Sequence, residues 1–292
     1  MTIDRLIEKI RKLKNPCVVD FTADMSCLPA HLLQQEHDRV HAYGRFCTEL
    51  MGALQGIVPA VRYSFSGFAL MGTEGLTVLA RLLSMAKSMG YYVFLDVPES
   101  LSALSASMSA QAIFAPESLW VCDGIISGAY IGTDALTPFV EQIKNSDKDL
   151  FVVVRTSNKT AAQMQDLLTG GRLAYMAMAD QINRLGAPVV GKCGYSRIAA
   201  VGAASSADCL RNLRSKYKSL FLLLDGSDYP NANAKNCSFA FDALGHGAVL
   251  CAGLSITAAW KDEEDDGAEY TRNAVEAAKR LQKNIARYVK IM

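Results

Sequence analysis

An excess of charge of either sign, long apolar runs and paired cysteines are all missing from this chain. Thirty Lys and Arg stand against 29 Asp and Glu, a formal net charge of +1. That balance gives no electrostatic reason to expect nucleic acid or an anionic membrane as partner. No apolar run reaches the roughly 18–20 residues that a membrane span needs. The eight cysteines (17, 27, 47, 122, 193, 209, 237 and 251) contain no Cys-x-x-Cys pair. Several lie inside apolar runs, where a free thiol behaves as a small hydrophobe. A reduced, cytoplasmic protein is expected from this usage. Gly-x-Gly-x-x-Gly, P-loop and Gly-x-Ser-x-Gly patterns are absent too. His37 and His41 share one helix face, but the further ligands of a structural zinc site are missing. A solvated face is expected there, with no metal and no cofactor.

What the chain does have is length and apolar content: 292 residues, 50% of them hydrophobic, enough for a large core. Apolar runs recur, mostly 30–40 residues apart: Cys17–Thr22, Ile57–Arg62, Tyr91–Asp96, Val121–Ile126, Leu150–Thr156, Ile198–Ala203, Ser219–Asp225 and Gly247–Cys251. Unbroken runs of this kind read as fully buried parallel strands. Helical patterns lie between them, at Gly75–Met89 with Gly90 as a C-cap, Thr133–Asn145, Thr160–Leu168 and Leu173–Leu185. Ile3, Leu6, Ile7, Ile10 and Leu13 mark an amphipathic N-terminal helix, not a signal peptide. A long C-terminal helix follows the acidic run Asp262–Asp266, with base in its last turns to suit the helix dipole. The spacing predicts an α/β fold in one domain over 1–292: a (β/α)8 TIM barrel with an N-terminal helix and a long C-terminal helix.

In such barrels the C-terminal ends of the strands carry the chemistry, which points to Asp96 at the end of Tyr91–Asp96. The residues after it, Val97-Pro-Glu-Ser-Leu101, hold no lysine and no second aspartate. The Ser/Ala-rich stretch Ser100–Ala110 reads either as a mobile lid or as an ordinary helix start. His246, Lys192 and Cys193 precede strands and belong to the opposite, stability face.

Several blocks, in order and spacing, resemble the orotidine 5′-phosphate decarboxylases, in particular their longer bacterial subfamily. They are Asp4-Arg-Leu-Ile-Glu-Lys-Ile10, Asn15-Pro-Cys-Val-Val19, Ile57-Val-Pro-Ala-Val61, Val93-Phe-Leu-Asp96, Val154-Arg-Thr-Ser-Asn158 and Gln165-Asp-Leu167. The resemblance implies a dimeric (β/α)8 barrel. Carried over residue by residue, the family's first-strand aspartate falls on Thr22 and its second-strand lysine on Arg62. Of the Asp-x-Lys-x-x-Asp motif, the first aspartate is Asp96, the lysine falls on Pro98 and the last aspartate on Leu101. The family's phosphate-binding glycine loop corresponds to Asp225-Gly-Ser-Asp-Tyr-Pro-Asn-Ala232, which adds two carboxylates that repel a phosphate dianion. Its phosphate arginine has no counterpart in Cys251-Ala-Gly-Leu254, although Gly253 and Ser255 still offer backbone N–H groups. Ser157, beside Thr156, matches the residue that faces the pyrimidine ring, but a serine there can equally cap the next helix.

A decarboxylase must stabilise and protonate a carbanion. A buried lysine can do both, whereas an arginine keeps its proton. The expected residual site is therefore Arg62 paired with Asp96, with Thr22, Thr156, Ser157, Asp225, Gly253 and Ser255 as candidate ligand contacts. Three functions remain open on these residues. One is a non-catalytic homologue that binds a small molecule or a partner, and a second is an active orotidine 5′-phosphate decarboxylase making UMP. The third is a barrel enzyme of another reaction built on Asp96, Arg62, Asp225 and Asp228. The loop Pro98–Ser109, with Leu101, Leu104 and Met108, suits an interface, and a homodimer or a heterodimer with an active decarboxylase is expected.

Overall fold

The computed structural model describes residues 2–98, 100–229, 231–262 and 266–292. Its strands, in chain order, are β1 (Cys17–Phe21), β2 (Ala60–Ser64), β3 (Tyr92–Asp96), β4 (Gly124–Ser127), β5 (Asp149–Val153), β6 (Leu168–Thr169), β7 (Arg172–Leu173), β8 (Ile198–Ala203), β9 (Leu222–Asp225) and β10 (Ala248–Ala252). All but β6 and β7 run parallel and close into one barrel in the order β1-β10-β9-β8-β5-β4-β3-β2. The eight apolar runs of the sequence are these eight strands, with ends displaced by up to three residues.

Every second residue of a strand points inward. Val18, Ala60, Phe94, Phe151, Phe221 and Leu223 thus form one buried cluster inside the barrel. Phe94 meets Tyr92 and Phe151 with ring centroids 4.8 and 4.9 Å apart. The interior is a packed plug of aromatic rings, and any ligand has to bind above it. The bottom is closed by helix Thr2–Leu13, whose Ile3, Leu6, Ile7 and Ile10 join the same cluster. Asp4 anchors that helix by accepting the backbone N–H groups of Lys192 and Cys193 at 3.2 and 2.9 Å. His246 also lies at this end, its Nε2 3.1 Å from the Met292 carbonyl.

Two expectations from the sequence change in detail, and one left open between two readings is decided. The helix expected over Thr160–Leu168 shrinks to Ala162–Gln165, because Leu168 enters the antiparallel pair β6–β7. Gly170 and Gly171 between those strands both take positive φ, +58° and +78°, the twist that a two-residue hairpin turn requires. Thr133–Asn145 splits into a 3-10 turn, Thr133–Ala135, and helix Thr137–Ile143 with Pro138 in its first turn. The Ser/Ala-rich stretch is a helix start. Ser102 and Ser105 form a reciprocal capping box at the head of helix Ala103–Phe114, which satisfies two otherwise orphaned N–H groups.

The long C-terminal helix is Tyr270–Ala286, with Lys283 in its last turn. Residues 263–265 of the acidic run ahead of it lie outside the described residues, as does Glu99. All eight cysteines are free, seven of them buried. No described helix is long and apolar enough to cross a membrane.

Candidate functional site

The inward alternation that fills the barrel with aromatic rings changes character at the C-terminal ends of the strands. There Asp20 on β1, Arg62 on β2, Asp96 on β3 and Asp225 on β9 converge. The register sets Asp20 beside Arg62 and Ser64 beside Asp96. Arg62 donates Nε to Asp96 Oδ1 at 3.0 Å and Nη2 to Asp96 Oδ2 at 2.5 Å, the two-pronged geometry that a guanidinium fork matches best. Its Nη1 reaches Asp225 Oδ1 at 2.5 Å and Asp20 Oδ2 at 3.1 Å. One cation thus serves three carboxylates.

Burial weakens the charged form of every member, and their mutual attraction restores it unequally. Burial alone would lower the Arg62 pKa, but Asp20, Asp96 and Asp225 outweigh it and hold the guanidinium well above its ordinary value. The Asp20 carboxyl is pushed up to about 7, by burial first and then by the negative charges of Asp96, Asp225 and Asp228, with Arg62 opposing. Asp96 is raised for the same first reason, again against Arg62.

Beside this cluster opens a cavity of about 390 Å³, within the size range of small-molecule sites. Asp96, Asp225 and Arg62 form its charged wall, and Val97, Ile126 and Val153 an apolar one. Thr156 and Gln165 complete it, with the Thr156 N–H donating to Gln165 Oε1 at 2.9 Å. Tyr130 lines it as well and donates its hydroxyl to the Val154 carbonyl at 2.5 Å.

The structure gathers Arg62, Asp96, Asp225 and Thr156 around one cavity. Ser157 stands just behind, where its Oγ donates to the Asp225 carbonyl at 2.7 Å, so it braces the loop after β9 instead of facing the cavity. Gly253 lies at the mouth after β10, and its N–H is already taken by Asp228 Oδ2 at 3.1 Å. Ser255 turns the other way, into a groove against Ala277 and Leu281 of the C-terminal helix. Thr22 is exposed at the rim and has no part in the Arg62 cluster.

The charged group of the first strand is Asp20, which the sequence reading did not single out. The signal was present: a carboxylate inside an apolar strand run, two residues before Thr22 and so on the same face. On the outer surface His41 pairs with Asp38 and Glu74 at 3.0 and 3.5 Å. Among the described residues no group of three or more His, Cys, Asp or Glu is arranged to hold a metal ion.

No family model matches the chain, but relatives in sequence extend over most of it. An orotidine 5′-phosphate decarboxylase of Rhodopirellula baltica is 31% identical over 227 residues, which cover 76% of this chain and 75% of that one. One of Petrotoga mobilis is 28% identical over 280 residues, covering 94% and 96%. Among solved structures, the OMP decarboxylase of Leishmania donovani has a TM-score of 0.72 at 21% identity, covering 97% of this chain and 99% of that one. This last likeness is one of fold.

Proposed function

The chain belongs to the orotidine 5′-phosphate decarboxylase family, a family of pyrimidine metabolism, and from that premise we propose that it is a non-catalytic homologue: one cytoplasmic domain over 1–292 that binds a small ligand or acts as a partner subunit. The observation that carries this reading is the engagement of Arg62. Loss of CO2 from a pyrimidine carboxylate leaves an electron pair on a ring carbon, which needs a fixed cation beside it and then a proton. Arg62 is the cation here, but all three of its nitrogens are engaged by carboxylates, and a guanidinium held this basic does not give up a proton. Among the described residues no lysine lines the cavity. Pro98, at the position that the resemblance gives to the family's lysine, has nothing to donate.

A second reading, a barrel enzyme of another reaction, draws on Asp20. A carboxyl with a pKa of about 7 is suited to acid–base work at neutral pH. Asp20 is only 9% exposed and does not line the cavity, which favours the first reading. The deciding assay is turnover of orotidine monophosphate by protein purified from a host without its own decarboxylase. Background rates are expected, because each lost charged group removes several powers of ten, at about 1.4 kcal/mol per factor of ten. Robust decarboxylation overturns the proposal.

The partner role rests on the loops around the mouth. Leu101 on the loop after β3 is 85% exposed, Leu104 and Met108 on the helix Ala103–Phe114 that follows are 71 and 62% exposed, and Leu70, which ends the short helix Phe65–Ala69 after β2, is 91% exposed. So much bare apolar surface on the segments that follow β2 and β3 suits pairing of two barrel mouths. The pair is a homodimer, the commonest closed assembly, with an active decarboxylase as the other candidate partner. Light scattering should give twice the 31.6 kDa chain mass, and Leu104→Glu should shift it toward the monomer. A parent protein that runs as a clean monomer and captures no active decarboxylase would end the idea.

A further inference from the structure

In α/β barrels the phosphate group of a ligand commonly settles at the loops after the last two strands, held by backbone N–H groups. Here that place is filled from within the chain. Asp228, on the turn after β9, sets a carboxylate oxygen 3.1 Å from the backbone N of Gly253 after β10. The approach is close enough that a Cβ on Gly253 would stand 3.2 Å from that same oxygen.

The turn that presents Asp228 is held firmly. Gly226 has φ +79°, and a Cβ there would lie 2.4 Å from Ser157 Cβ. Only glycine takes that conformation without cost in so little space. The Tyr229 N–H closes the turn on the Gly226 carbonyl at 3.1 Å, while Ser157 Oγ ties down the Asp225 carbonyl. The backbone of the turn is therefore fixed, and Asp228, exposed at its tip, is held by the single bond to Gly253.

Below it the sign of the charge is the same. Arg62 spends its donors on Asp20, Asp96 and Asp225, yet Asp225 Oδ2 and Asp20 Oδ1 have no donor among the described residues. Three carboxylates thus share one engaged cation, and Asp228 adds a fourth negative charge near Asp20. The cavity adds apolar walls at Val97, Ile126 and Val153 and acceptors at Asp96 and Asp225. A phosphate dianion entering this cavity meets the carboxylates of Asp96 and Asp225, whereas an N–H donor or a cation finds acceptors there. The cations Arg155 and Lys159 line a separate pocket beyond Ser157 and Tyr229.

We infer that Asp228 is the specificity residue of the mouth: its carboxylate occupies the anion seat, so the cavity takes small ligands that lack phosphate and present N–H donors or a cationic nitrogen to Asp96 and Asp225. The inference rests on reading the mouth as a ligand site, and it deepens that reading by naming the class of ligand. The test is a calorimetric titration of the intact protein and of Asp228→Asn with uridine monophosphate and with benzamidine, a planar amidinium without phosphate. Asparagine keeps the size and an acceptor oxygen for the Gly253 N–H, removes the charge, and puts an amide NH2 in place of the second oxygen.

The parent should bind benzamidine and not uridine monophosphate at millimolar concentration. Asp228→Asn should bind uridine monophosphate at least tenfold more tightly than the parent does, with benzamidine binding no stronger than before. Asp208→Asn, an exposed control on the helix after β8, should leave both titrations as they are. Equal uridine monophosphate binding by parent and Asp228→Asn overturns the inference, as does a parent that prefers the phosphorylated probe or ignores benzamidine. Both readouts are binding, so they stand or fall separately from the turnover assay.

Discussion

Arg62→Ala should cost roughly 3–5 kcal/mol of unfolding free energy at pH 8, the scale expected when one partner is removed from a buried ion pair. The side chain is 11% exposed and neutralises carboxylates from β1, β3 and β9 at once. Without it, Asp20, Asp96 and Asp225 face one another across the top of the barrel with no cation among them. They can relieve the repulsion only by taking up protons, so the deficit should shrink on acidification and be smaller at pH 5 than at pH 8. Arg62→Lys should fall between the two proteins, because it keeps one positive charge and loses the fork that grips both oxygens of Asp96. Urea unfolding at the two pH values measures all of this. A deficit below about 1 kcal/mol at pH 8 would mean that the cluster is solvated and weak, as surface pairs are.

The barrel was legible because its strands are buried on both faces and therefore read as unbroken apolar runs at regular spacing. Helix Thr2–Leu13 was equally plain, since its apolar residues recur with the helical period and cover the barrel floor. What escaped was local chemistry that period counting does not weigh. The turn Thr169-Gly-Gly-Arg172 needs two residues at positive φ. Its glycine pair was the cue for the hairpin that shortens the expected helix. A helix start was one of the two readings of Ser100–Ala110, but the reciprocal pair Ser102 and Ser105 that caps it was not singled out.

The candidate site was half legible. Arg62 and Asp96 stand at strand ends, where a charged residue after an apolar run is conspicuous, and they meet as expected. Asp20 sits within its run, and alignment by motif drew attention to Thr22 instead. The alternation of inward and outward side chains places both on the inner face. Depth decides between them: Asp20 is level with Arg62 in the register, while Thr22 is above it at the rim. Asp228 was visible as an added negative charge. That it would settle on the Gly253 N–H depends on the curl of the turn at Gly226, which only three-dimensional packing reveals.

Asp20→Asn tests that depth directly. Its carboxyl rises from the ordinary 3.8 to about 7 because burial disfavours the charge, the neighbouring carboxylates add to the effect, and Arg62 offsets only part of it. Between those two values the folded protein holds a proton that the unfolded chain has released. The stability that this proton provides is full below about pH 4 and is lost as pH rises through about 7. The parent should therefore weaken from pH 5 to pH 8, with Asp149, raised to about 6 chiefly by burial, contributing a slope of the same sign. Asparagine has no proton to lose, so the variant's profile should be flatter and cross above the parent's by pH 8. The full shift, in which the opposing attraction of Arg62 is already included, corresponds to roughly 4 kcal/mol at about 1.36 kcal/mol per unit, and that is the upper bound on the variant's gain at pH 8. Urea unfolding at unit steps from pH 5 to 8 gives both curves. A variant less stable than the parent at pH 8 would show that the ion pair with Arg62 outweighs the burial of Asp20.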